Sequence, residues 1–103
     1  MNTLADLPIA IDATEIARFC SRRGISRLAL FGSVLRDDFG RDSDLDVLVE
    51  YLPRQHPGLM LFRQQDELTA LLGRPVDLHT SASLSPHFRA EVLTSALPLY
   101  EQA

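Results

Sequence analysis

Excess positive charge, paired cysteines and long apolar runs are what this 103-residue chain does without. Its net charge of −4 makes the molecule as a whole repel polyanions, which argues against a long duplex or RNA as its main partner. A single cysteine, Cys20, excludes an internal disulfide, and its apolar helical register makes it a small core residue rather than a nucleophile. No apolar run approaches the roughly 20 residues of a membrane span. The N-terminus has no basic stretch and carries Asp6 early, so the expectation is a cytoplasmic protein without a membrane partner. His56 and His87 lack ligand spacing to each other, which argues against zinc. Repeats, linkers and low-complexity segments are missing too. The length then predicts one domain, residues 1–103, burying roughly 60–70% of its unfolded surface around a single core.

The elements follow from periodicity and punctuation. Asp12 and Glu15 have the spacing of a capping box, and Ile11 is placed to staple against Ile16. Ile16, Phe19 and Cys20 share a face and Gly24 suits a left-handed C-cap, so residues 12–23 are predicted helical. The run 25–31 is apolar towards its end and stopped by Gly32, as in a buried strand. Ser33 is placed to cap a short helical turn over 34–36, and 40–43 is a polar loop. Residues 44–51 alternate, with Leu45, Val47 and Val49 on one face and Asp44, Asp46, Leu48 and Glu50 on the other.

Pro53, Pro57 and Gly58 mark a loop, after which 59–72 reads as a helix whose apolar positions are Leu61, Leu68, Leu71 and Leu72. A brief third strand spans 75–80. Ser85-Pro86 opens a last helix with Phe88, Val92, Leu93 and Ala96 as its stripe, ending before Pro98. This order, helix, strand, short helix, strand, helix, strand, helix, predicts an α+β domain with a small mixed sheet covered by helices. Arg18, Arg22, Arg23 and Arg27 read as a solvated helix face.

Two stretches carry chemistry. Residues i and i+2 of a strand point the same way, about 6.5–7 Å apart, so the carboxylates of Asp44 and Asp46 look at one site. Like charges side by side repel unless a cation sits between them. Hard oxygen ligands completed by substrate phosphate are what Mg²⁺ prefers, and metal ions so held can clamp the attacking and leaving oxygens of a phosphoryl or nucleotidyl transfer. Gly32-Ser33 supplies the other half. A glycine at a strand-to-helix turn lets backbone N–H groups approach a phosphate, and the serine adds a hydroxyl donor. Asp77, between core-facing Val76 and Leu78, faces the opposite way and offers a third carboxylate, as ligand or as proton acceptor. His79 shares its face and reads as a structural histidine. Arg36 either contacts phosphate or pairs with Asp37 or Asp42.

Gly32-Ser33, ten intervening residues, Asp44-x-Asp46 and a later lone Asp77 on a strand resemble the signature of the DNA polymerase beta-like nucleotidyltransferase superfamily. The short length, Arg36 after the Gly-Ser pair and Ser43 before the first aspartate resemble its minimal nucleotidyltransferase (MNT) antitoxin branch. The resemblance runs from the first helix to the final Ala96-Leu97-Pro98-Leu99-Tyr100 and departs at Asp37, where a glycine commonly follows the arginine. It implies a small nucleotidyltransferase fold and a hetero-complex with a HEPN-domain ribonuclease toxin. It also implies transfer of AMP from ATP onto a toxin tyrosine. Carried over by position, Asp44 and Asp46 would bind Mg²⁺ and catalyse, Asp77 would be the third acidic ligand, and Gly32 and Ser33 would hold the nucleotide phosphates. Two rivals keep the fold. A binding-only antitoxin would gain nothing from clustered carboxylates, and an enzyme acting on a small molecule would want a second domain to seat it.

Overall fold

A computed structural model describes residues 7, 9–36 and 39–102, so Asp6 and the departure at Asp37 lie outside the described residues. Its elements are α1 (Ala13–Arg23), β1 (Ile25–Phe31), a 3-10 turn (Gly32–Leu35), β2 (Leu45–Tyr51), α2 (Met60–Leu72), β3 (Val76–Thr80), a second 3-10 turn (Ser81–Ser83), α3 (Pro86–Ser95) and β4 (Leu97–Glu101). The strands form one sheet in the order β3-β2-β1-β4. β1 runs antiparallel to both β2 and β4, while β2 and β3 are parallel and joined across α2. This is the expected mixed sheet, with one strand more than expected. β4 escapes the periodicity because it is short, carries Pro98, and follows α3 without a break. An edge position tolerates that proline, which cannot donate to a ladder.

Pleating sorts the side chains onto two faces. Leu28 and Leu30 of β1, Leu45, Val47 and Val49 of β2, and Val76 and Leu78 of β3 join Ile16, Phe19 and Cys20 of α1 and Leu68 and Leu72 of α2 in the larger core. The opposite face buries Ala29, Phe31 and Leu48 beneath Leu84, Val92 and Ala96. α3 covers only part of this second face. The uncovered end is where Asp46, Asp77 and His79 emerge. Removal of this much apolar surface from water, at about 25 cal/mol per Å², is the main force holding helices to sheet.

Local chemistry fixes the boundaries. Asp12 caps α1, its Oδ1 accepting from the N–H groups of Thr14 and Glu15 at 3.1 and 3.2 Å, and Gly24 closes the helix with φ +68°. The Glu15 side chain bonds Arg18 at 2.9 Å, in place of the return bond of a capping box. β3 is a sheet edge, and α2 blunts it: the Val76 and Leu78 N–H groups donate to Thr69 Oγ1 and Gln65 Oε1 at 3.0 and 2.9 Å. Outward-facing amides so occupied cannot recruit another strand.

Three further expectations are corrected. The turn after β1 begins at Gly32, so Ser33 lies inside it, and no side chain caps it. Leu71 and Phe88, placed in apolar stripes, are 37% and 43% exposed, because helical spacing defines a stripe wider than the sheet beneath it can cover. Asp44 precedes β2 instead of opening it. Three arginines of the basic face are paired: Arg18 with Glu15, Arg23 with Glu67, and Arg27 with both Glu50 and Glu101.

Candidate active site

Strand register assembles the site. Phe31 at the end of β1 stands opposite Asp46 on β2, and Asp46 stands beside Asp77 on β3. The two carboxylates therefore rise from neighbouring parallel strands on the face away from the larger core. His79, one pleat further along β3, shares that face beside Leu48. Its Nε2 lies 3.2 Å from Asp77 Oδ2 and 3.6 Å from Asp46 Oδ1, and its ring meets Phe31 edge-on at 5.3 Å. One ligand atom from each of Asp46, Asp77 and His79 lies within 4.8 Å of the others.

Gly32 is fitted against this group. Its φ is +78°, and a β-carbon there would stand 2.4 Å from Asp46 Oδ2. The strand-to-turn glycine thus touches the carboxylate it was paired with on sequence grounds, because the chain must turn sharply at the end of β1 where β2 delivers Asp46. Ser33 follows within the turn, half-buried, its carbonyl accepting from the Arg36 N–H at 2.9 Å. Burial pushes the Asp46 carboxyl above the ordinary carboxylate range; His79 opposes this, while Asp77 and Asp44 add to it. Asp44 is exposed and contributes negative field from outside the three-residue cluster. Asp77 is more open than Asp46, with side-chain exposures of 53% and 30%.

Residues 39–43, ahead of β2, are pinned by a residue that the sequence did not single out. Arg74 Nη2 donates to the carbonyls of Gly40, Arg41 and Ser43 at 2.6, 2.9 and 3.0 Å, and its guanidinium lies 4.6 Å over the Phe39 ring. The Leu45 N–H donates to the Pro75 carbonyl at 2.8 Å, so the segments delivering Asp46 and Asp77 are tied just before both aspartates. Beside Gly32 opens a cavity of about 280 Å³, lined by Phe31, Gly32 and Arg36 on one side and by Phe88, Glu91 and Ser95 of α3 on the other. The α3 wall was also missed, since an aromatic in a helical stripe reads as core; its exposure is the signal. Small-molecule sites usually exceed roughly 300 Å³, so the cavity suits part of a ligand whose remainder lies along the turn.

Together these residues offer two carboxylates and an imidazole whose ligand atoms lie within 4.8 Å of one another, backbone N–H groups at a glycine turn, and an adjoining cleft. That combination is competent for chemistry at a phosphate. The chain matches the family model described as nucleotidyltransferase domain over residues 13–100. It is 38% identical over 73 residues to protein adenylyltransferase MntA of Thermococcus cleftensis, an alignment covering 70% of this chain and 72% of the relative. A solved structure assigned provisionally as a minimal nucleotidyltransferase superposes with a TM-score of 0.69 at 36% identity, covering 84% of this chain and 87% of the other. The fold is shared as well with the structure of a tri-AMPylated Shewanella oneidensis HEPN toxin in complex with MNT antitoxin, at a TM-score of 0.61 and 21% identity, covering 87% and 70%.

Proposed function

The chain belongs to the nucleotidyltransferase domain family, and on that premise we propose that it is an antitoxin that transfers AMP from ATP to a tyrosine hydroxyl of a HEPN-type toxin bound to it. The observation that carries the reading is the contact of Gly32 with Asp46, which sets a phosphate-approaching turn against a carboxylate pair. The adenylyltransferase name of the Thermococcus cleftensis relative and the modified toxin in the Shewanella oneidensis complex support the choice of protein acceptor. We take residues 1–103 to act as one nucleotidyltransferase domain.

The donor set fits a divalent cation. Asp46 and Asp77 converge to within coordination reach, Asp44 stands near, and the burial and like charge that push the Asp46 carboxyl upward are what a cation relieves. Mg²⁺ bound there would neutralise charge on the phosphate oxygens and make an approaching hydroxyl more acidic. The chain's own residues do the rest. Gly32 and Ser33 hold the phosphates through backbone N–H groups and a hydroxyl. Asp44 and Asp46 would hold the metal, with Asp77 as third acidic ligand, and so orient the reacting phosphate. Asp77, the more exposed, keeps one oxygen able to accept the tyrosine proton. The phenolic oxygen bonds to the α-phosphorus as the bond to the β-phosphate oxygen breaks, and pyrophosphate leaves. Positioning and charge neutralisation carry the rate.

Incubation with α-labelled ATP, Mg²⁺ and the HEPN protein tests this. Label should appear on the partner and be lost in Asp44→Ala and Asp46→Ala. Protection of cells by those same variants, with no label transferred, would replace the enzyme with neutralisation by contact.

A further inference from the structure

His79 has a role that a strand-end structural histidine would not need. Its ring meets Phe31 edge-on, and its Nε2 stands 3.2 Å from an Asp77 oxygen and 3.6 Å from an Asp46 oxygen. Ligands around a divalent ion at about 2.1 Å stand about 3.0–4.2 Å from one another. The two separations from His79, 3.2 and 3.6 Å, fall in that interval, and all three ligand atoms lie within 4.8 Å of one another, so an ion can sit among them once the side chains adjust. The register places all three on one face without a loop intervening, since Asp77 and His79 are alternate residues of β3 and Asp46 is Asp77's neighbour on β2. The ring is 27% exposed, deep enough to be held and open enough to exchange a ligand.

We propose that His79 is a nitrogen ligand of the cation, and that it shifts the site's preference from Mg²⁺ towards Mn²⁺ and the later divalent metals. Mg²⁺ favours an all-oxygen shell, whereas imidazole suits metals further along the first transition row. With His79 beside Asp46 and Asp77 and with Asp44 near, the donor set is mixed, carboxylates and one imidazole. It keeps enough oxygen for Mg²⁺ to serve when abundant and gains affinity for Mn²⁺ through the ring. The inference rests on the carboxylates holding a cation and is independent of which hydroxyl accepts the nucleotide.

The test uses the full chain with Mn²⁺ alone, without nucleotide or partner. Pulsed electron paramagnetic resonance of the bound ion should show a directly coordinated ¹⁴N in the unaltered protein and none in His79→Asn or His79→Gln. Titration should show the ratio of Mn²⁺ to Mg²⁺ affinity falling about tenfold or more in both variants, in line with the usual cost of disturbing a metal's ligand environment. Far-UV circular dichroism confirms that each variant is folded. Bound Mn²⁺ without nitrogen coupling in the unaltered protein, or an unchanged affinity ratio in both folded variants, overturns the assignment of His79 while leaving the carboxylate site intact. Failure of Mn²⁺ to bind the free protein overturns the assignment of His79, whereas the nucleotide-completed site is judged separately by label transfer.

Discussion

At φ +78°, with an Asp46 oxygen 2.4 Å from where a β-carbon would stand, Gly32 has two independent reasons to be glycine. Gly32→Ala would cost about 1–3 kcal/mol for the left-handed backbone and would push the carboxylate out of line. The expected outcome is a lower melting temperature together with at least a hundredfold loss of label transfer. Near-normal transfer would show that the turn and Asp46 are not coupled. This pairing was legible in the sequence because a strand's two-residue period fixes which way Asp46 and Asp77 face, and a glycine ending an apolar run marks the turn. The face of His79 was legible too, but its meeting with Asp46 and Asp77 was not, because pleating gives a side chain's face and not the atoms it meets across strands. Asp44 shows the complementary limit: the chain leaves the strand conformation just before β2, so the i, i+2 rule that would aim it alongside Asp46 does not extend to it.

Among the elements, residues 39–43 ahead of β2 depend on Arg74, whose one nitrogen serves three carbonyls while its plane stacks on Phe39. Arg74→Ala should increase hydrogen exchange across residues 40–45 and lower the rate of transfer tenfold or more, with far-UV circular dichroism unchanged. Arg74→Lys should recover the rate only in part, since an ammonium can donate to the carbonyls but has no planar face to stack on Phe39. Unaltered exchange in that segment would remove Arg74's role as its clamp. Nothing in the spacing of residues announces such a contact, because it joins a loop to the start of β3 only after α2 has brought them together. Four helix ends were legible: Asp12, Gly24, Gly73 and Ser85-Pro86 mark caps by chemistry that acts within a few residues, whereas α2 starts without a capping side chain. β4 was not legible, since its Leu97-Pro98-Leu99 alternation is too short to separate from the preceding stripe.

For the molecule as a whole, the buried layer between α1 and the sheet sets an alkaline limit. Burial pushes the Cys20 thiol from 9.0 up to about 12 and the Tyr51 phenol from 10.0 up to about 12. Both stay protonated in the folded chain where the unfolded chain would release its protons. Their contribution to stability is therefore complete below about pH 9 and declines as pH rises from 9 to 12. Melting temperatures at pH 8 and 10.5 should differ with that sign, and Cys20→Ala should flatten the early part of the fall; a level profile would contradict it. The parallel pairing of β2 with β3 has a consequence in time. Asp46 and Asp77 come from opposite sides of the α2 crossover, and pairings between distant segments form late because the loop between them must first close. α1, β1 and β2 can acquire their shape from local contacts while the two carboxylates are still apart. The carboxylate cluster then closes after the β1–β2 hairpin and before the still more distant β1–β4 pairing, so a chain halted at the hairpin presents the turn and Asp46 without Asp77 to complete the site.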